Sequence, residues 1–271
     1  MDTTHLFIKG TFPSDMRRIA IVGTRKASAY AKTFAYTCAY ELASRGFCIM
    51  SGLAFGIDAA AHRGALAAGG VTCAVLAHGL DTIAPEEHTH LALDILKHNG
   101  ALISEYAEGT PAYPSQFLDR NRIISGLSEA TIVIEAPRRS GAVHTGLHTL
   151  QSKKPLFVLP GSTASQQYAG SHLLIRSGGR LVGSLQDLFS DLGTSKYRNV
   201  KTSGGGPLTK TSDQYEQIIG CVQAAPSGCS VDTIAEHCTL KPQEVQAALA
   251  ELILQGAIIE DGIGRYKITN I

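Results

Sequence analysis

The chain has 271 residues, with 24 basic against 23 acidic and a formal charge of +1. Hydrophobic residues make up 44%, enough for a true core, while charged residues at 17% fall below the ~25% of an average soluble chain, so cations that do cluster are informative. No apolar run approaches the ~20 residues of a bilayer span, and residues 1–10 lack the basic-then-apolar order of a secretion signal, so a cytoplasmic protein with no membrane partner is expected.

In chain order, the first signal is the apolar run Ile19–Val22, which breaks at Gly23-Thr24-Arg25. A second run, Phe47–Met50, breaks at Ser51-Gly52 and continues through Leu53-Ala54-Phe55-Gly56-Ile57-Asp58. Such short apolar runs predict buried parallel strands. Further strands are expected over Thr72–Ala77, Ala101–Ser104, Thr131–Glu135, Pro155–Leu159 and Arg180–Val182. Helical patterns lie between them at Tyr30–Arg45, Ile57–Ala68, His90–Lys97, Gln116–Ser125, Thr145–Ser152 and Ser184–Phe189. This alternation makes βαβ units, hence an α/β fold with a Rossmann-like parallel sheet covered on both faces. Ligands of such sheets bind beyond the carboxyl ends of the strands, the edge on which the Gly/Ser/Arg turns fall.

Residues 193–212 read as a basic, flexible linker: Lys196, Arg198, Lys201 and Lys210, no acidic residue, and the run Gly204-Gly205-Gly206-Pro207. Residues 213–271 read as a separate module. Helices are expected over Asp213–Ala224, Ser230–His237 and Pro242–Gln255, the third opened by proline and stopped by Gly256. Ala257–Glu260, Asp261-Gly262 and Gly264–Ile268 then form a hairpin, which completes a winged-helix pattern. Six cysteines occur, none in a CxxC pair and most in apolar segments, which argues for a reducing compartment without disulfides or zinc.

Glycine at a strand-to-helix turn lets backbone N–H groups approach an anion, and the helix N-terminus behind it favours negative charge. Gly23, Thr24 and Arg25 therefore suggest a phosphate site anchored by Arg25. Ser51, Gly52 and Gly56 make a second turn of the same pocket, whose amides either nest a phosphate or serve tight strand–helix packing. Phe117, Arg120 and Arg122 set one aromatic and two cations within six residues, as single-strand binders do, or else are a core phenylalanine and two ion-paired arginines; on a helix Phe117 and Arg120 share a face and Arg122 does not. Asn121 between them reads as a structural hydrogen bonder. Ser140, Gly141 and Thr145 form another turn that either donates to phosphate or caps a helix. Asp58 and His62, four apart on one helical face, are read as a cap and a buried hydrogen bond rather than an acid–base pair. Glu105 and Glu135 are read as supports that orient arginines, because a carboxylate facing phosphate is unfavourable. There is no Gly-x-Ser-x-Gly elbow, Walker A sequence or Gly-x-Gly-x-x-Gly fingerprint, and no third metal ligand at useful spacing. No catalytic residue, metal or cofactor is expected.

These residues resemble the DprA/Smf family of DNA-processing proteins. The resemblance rests on Ile21-Val22-Gly23-Thr24-Arg25, on Ser51 to Asp58 with Ala61-His62, and on Gly79-Leu80-Asp81 and Ser104-Glu105-Tyr106. It continues through Phe117 to Ser128, Val133 to Ala136, Ser140-Gly141, Thr145 and Leu159-Pro160-Gly161. It covers roughly Leu6 to Leu192, and the tail is similar to the winged helix of many members. The resemblance implies a single-stranded-DNA-binding domain over residues 1–192, a homodimer, and a role in loading RecA recombinase during natural transformation, with no redox cofactor. No amino-terminal helical extension of the kind found in some members is expected before Met1. Three departures stand out: Ala84-Pro85 replaces the usual Tyr-Pro, Glu86-Glu87-His88 replaces basic or amide residues, and Gly170-Ser171-His172 replaces a Gly-x-Asn element. The first two weaken the expected stacking and phosphate attraction along one rim.

Charge divides the chain unevenly. Residues 213–271 carry three cations against eight anions, −5, while residues 1–212 carry +6. An acidic winged helix is poorly suited to duplex phosphates, so it is expected to contact protein. Two rival functions fit parts of the pattern: a nucleotide phosphoribohydrolase using Glu135 with Arg120, and a winged-helix regulator with a ligand-sensing core.

Overall fold

The computed structural model describes residues 6–193, 217–225, 228–254, 258–260 and 265–268. The chain divides into two compact units, Met1–Arg198 and Asn199–Ile271. All of the expected linker except Gly193 lies outside the described residues.

The first unit is built on strands β1 (Phe7–Gly10), β2 (Arg18–Gly23), β3 (Cys48–Ser51), β4 (Thr72–Val75), β5 (Ala101–Ser104), β6 (Ala130–Ile134), β7 (Leu156–Val158) and β8 (Arg180–Leu181), in the spatial order β1-β5-β4-β3-β2-β6-β7-β8. Seven coincide with the predicted apolar runs. The eighth corrects the expectation of an all-parallel sheet: β1 pairs antiparallel with β5, Phe7 opposite Ser104. Its four residues are all exposed, so it carries no buried-strand pattern to read. Strands β3 to β5 spread to one side of β2, whereas β6 to β8 spread to the other. The chain therefore reverses direction between β2 and β6, and this is where a doubly wound sheet opens a crevice.

Alternation along β2 feeds two cores. Ile19 and Ile21 face α1 (Ala29–Ser44), α2 (Ile57–Ala67) and α7 (Leu185–Asp191), with Leu42, Ile57 and Phe189 buried against them. Ala20 and Val22 face α4 (Pro114–Leu127), α5 (Gly141–Gln151) and α6 (Ala169–Arg176), with Ile123, Val143 and Leu174. Helix α3 (Thr89–Lys97) covers β4 and β5 through Leu91 and Ile95. Helices α1 and α2 meet backbone to backbone: a Cβ on Gly64 would lie 2.2 Å from the carbonyl oxygen of Tyr36. Helix α5 begins one turn before the predicted Thr145, and α6 has no predicted counterpart. All six cysteines are free thiols.

In the second unit, helix α8 is described over residues 217–223, followed by α9 (Val231–Cys238) and α10 (Pro242–Leu254). Strands β9 (Ile258–Glu260) and β10 (Tyr266–Ile268) pair antiparallel, and Cys229 bridges to Tyr266 beside them. Ser230, the first residue of the expected helix, caps α9 by accepting from Thr233 N. Ile218, Val222, Ile234, Val245, Leu249 and Ile258 close a core of their own. The predicted turn at Asp261-Gly262 and the stop at Gly256 lie outside the described residues.

Candidate nucleic-acid interface

A cleft of about 600 Å³ opens between the carboxyl ends of β2 and β6. Its walls come from the turn after β2 (Gly23 to Lys26), from Phe117, Leu118 and Asn121 on α4, and from Pro137, Ser140 and Gly141 at the start of α5. The first βα turn reaches it because Gly23 leaves no side chain: a Cβ there would lie 2.0 Å from Ile134 O and 2.4 Å from Ile57. Thr24 is buried and donates its N–H to Glu135 O at 2.9 Å.

Arg25 is exposed, lines the cleft, and has no ion-pair partner among the described residues. Its guanidinium lies over the Phe117 ring, 4.7 Å from the centroid. This contact orients the cation without neutralising it. Helix α5 points its N-terminus into the same space. Ser140 is its N-cap, yet its hydroxyl makes no capping bond and, among the described residues, has no hydrogen-bond partner although the atom is buried. First-turn amides of a helix lack intrahelical acceptors, so Gly141 and Ala142 supply donors beside that hydroxyl. Thr145 lies deeper, 1% exposed, and its hydroxyl donates to Gly141 O at 3.2 Å. Asn121 joins the walls: its Nδ2 donates to Gly141 O and its Oδ1 accepts from Arg120 Nε, both at 3.2 Å.

Three expectations require correction. The second turn does not present its amides to the cleft. Asp58 takes them, its Oδ2 accepting from Gly52 N at 3.1 Å and Ala54 N at 3.3 Å. The anion that this turn nests is the protein's own: Asp58 fixes the loop ahead of α2 and does not cap the helix as expected, because the N-cap is Gly56 with no side-chain capping bond. Ser51 is fully buried and donates to Ile21 O at 2.6 Å, Gly52 is buried under Arg120, and neither lines the cleft. Gly56 faces away, its φ of +78° and close approach to Thr24 O serving the junction of the two turns.

Arg120 is the second correction. It is 3% exposed and donates to Gly52 O at 2.7 Å and to Val75 O, so its charge is spent on the ends of β3 and β4. Burial lowers its pKa to about 10, with Asp58 pulling it back up; burial likewise raises Asp58, with Arg120 and the two amides opposing. A carboxylate accepting two N–H bonds beside a guanidinium is the ionised form, so we take the pair as charged. Arg120 is the floor of the cleft, 5.8 Å from the Phe117 centroid. Third, Arg122 faces a different hollow, with His144 and His148, and is ion-paired with Glu105. Glu105 thus supports an arginine, as expected, but outside the site. Glu135 supports no arginine among the described residues: its carboxylate accepts from Ser28 N, at 3.1 Å to Oε2, and from the Ser28 hydroxyl that caps α1.

The sequence reading missed Lys26, exposed and in the cleft wall, and Arg138 and Arg139, exposed in the loop between Pro137 and Ser140. Lys26 adjoins Arg25 and the arginine pair directly follows the β6 turn, so position at a strand's carboxyl end was an available signal. Phe55 was also missed; it is 45% exposed, its ring packed at 4.8 Å against that of His88.

Residues 2–193 match the family profile of DNA recombination-mediator protein A, and residues 205–260 that of the DprA winged helix domain. The chain belongs to the DprA family. Protein Smf of Escherichia coli is 40% identical over 188 residues, 69% of this chain and 50% of that protein. A putative DNA processing protein DprA of Mycobacterium tuberculosis is 36% identical over 255 residues, 93% of this chain and 64% of that one. The chain thus matches half to two-thirds of the length of these DprA relatives. Among solved DprA structures, that of Streptococcus pneumoniae is 36% identical with a TM-score of 0.64, covering 69% of this chain and 65% of the other. The Helicobacter pylori protein, described for its single-stranded DNA binding mode, is 29% identical with a TM-score of 0.64 over 71% of this chain and 88% of that one. Among the described residues no helix is long and apolar enough to cross a membrane.

Proposed function

We propose that this DprA-family chain binds single-stranded DNA in the β2/β6 cleft without altering it covalently, and that it protects the strand and delivers it to RecA recombinase during natural transformation, as a cytoplasmic homodimer. The observation that carries the reading is Arg25: an uncompensated cation, held over Phe117, opposite the donor-rich N-terminus of α5. Phosphate answers the cation and the amides; an unstacked base answers the half-buried Phe117 ring together with the guanidinium on it. A duplex hides its base faces, so the preference is for single strands and for no particular sequence.

The carboxylates at and beside the cleft are already engaged. A hydrolase needs a carboxyl free to take or give a proton. Asp58 is bound to two amides, and Glu135, 1% exposed, is bound to Ser28. The homodimer would set two clefts on one strand and raise affinity by avidity. The test is a salt titration of binding to single-stranded and duplex DNA, with RecA filament assembly on the strand followed in parallel. Tight, salt-sensitive single-strand binding and faster filament assembly are expected. A chain that prefers duplex, or turns over a nucleotide at low protein concentration, refutes it.

A further inference from the structure

A second surface continues from the cleft. A groove of about 550 Å³ runs along α1 and α2, lined by Lys32, Tyr36, Phe55, Arg63 and Glu87. Lys32 and Tyr36 stand one helical turn apart on α1, and the close approach of α2 at Gly64 brings Arg63 beside them. All three are exposed, and neither cation has an ion-pair partner among the described residues.

The groove is linked to the cleft. Between them lies a small apolar hollow of about 180 Å³, lined by Arg25, Ala54, Phe55, Ala84, Pro85 and Phe117. It shares Arg25 and Phe117 with the cleft and Phe55 with the groove. Ala84, where a larger side chain was expected, leaves that passage open. We infer that the groove is a second contact surface for the same single strand, which leaves the cleft across Phe55 and lays its phosphates between Lys32 and Arg63, with Tyr36 as a stacking platform. The inference rests on the function proposed above and extends its site. Two cations flanking two exposed rings are the makings of a single-strand track. Glu87 opposes it, one carboxylate against two cations, and sets an affinity below the maximum.

The test compares oligothymidylates of about four and about twenty nucleotides, the range from one short site to a long track. The double variant Lys32→Ala/Arg63→Ala is expected to lose about tenfold on the long strand, with its salt slope reduced by about 1.4, at ~0.7 per phosphate contact on single strands. The short strand should bind within about twofold of the parent, and Glu87→Gln should tighten the long strand alone. Parental affinity and slope for the long strand in the double variant overturn the inference, as does equal weakening of both lengths. Arg25→Ala reports on the cleft separately. If it leaves the short strand unaffected, the cleft reading fails, while the length dependence of the double variant still decides the groove. A parent that binds neither strand overturns both.

Discussion

Removing Arg25 probes the cleft with little interference from folding. The side chain is exposed, without an ion-pair partner among the described residues, and its guanidinium lies over the Phe117 ring at 4.7 Å. A cation–π contact at an exposed site is worth about 0.5–1 kcal/mol, so Arg25→Ala should move the urea midpoint only slightly. In the complex the same guanidinium would make a charge-assisted hydrogen bond to phosphate, worth about 1.5–3 kcal/mol. At 1.4 kcal/mol per decade this is a loss of roughly 10- to 100-fold in single-strand affinity. The slope of log affinity against log salt should fall by about 0.7, because one phosphate neutralisation is lost. Arg25→Lys should fall between the two, keeping charge but losing the planar stack. Fluorescence anisotropy with a labelled strand across a salt series measures both quantities. A folded Arg25→Ala chain with parental affinity and slope would remove Arg25 from the interface and with it the reason for placing DNA in this cleft.

Arg120→Met should behave differently. It strips the donors from two buried carbonyls and leaves Asp58 without its cation, a loss of about 3–5 kcal/mol in stability; an unchanged urea midpoint would refute the structural role of Arg120. Gly56→Ala forces a side chain into a φ of +78° with its Cβ 2.3 Å from Thr24 O, costing at least about 1–3 kcal/mol and displacing the Arg25 turn, so both stability and strand affinity should drop. His62 is fully buried; its Nδ1 donates to Thr72 Oγ1 at 2.7 Å, since that hydroxyl donates onward to Ile49 O. Burial chiefly, then the nearby cationic groups, lowers its pKa to about 3, whereas the unfolded chain takes up the proton near pH 6.5. Stability from this group is therefore complete above about pH 6.5 and drains away as pH falls towards 3. Denaturation midpoints at neutral and at moderately acid pH should separate strongly in the parent and less in His62→Gln; equal separation would exclude His62 as the cause.

The rhythm of short apolar runs and glycine turns placed seven strands and, through them, the edge where a ligand would sit. Helix ends were less legible. Helix α5 starts at Gly141 rather than Thr145; its first turn, Gly141-Ala142-Val143-His144, offers one large apolar side chain beside a glycine, too little to show a helical period in the sequence. Strand β1 was invisible because an exposed edge strand needs no buried pattern. At the site, Phe117 and Arg25 could be singled out from sequence. The role of the second turn could not, since an amide nest suits a phosphate and an aspartate equally, and only the position of Asp58, the second residue of α2, decides between them.

What the sequence by itself determined was an α/β chain with its glycine-bearing turns on one rim, a winged-helix module after it, and kinship to DprA through motifs in order. What the tertiary structure decided was which cations remain available. Arg25, Arg120 and Arg122 look alike in a string of letters. Arg120 is consumed by carbonyls 68 and 45 residues away and Arg122 by a carboxylate 17 residues away, while Arg25 faces the cleft over Phe117. A charge is free or spent according to its neighbours in space, and those neighbours are assembled by the order of strands in the sheet, not by adjacency along the chain.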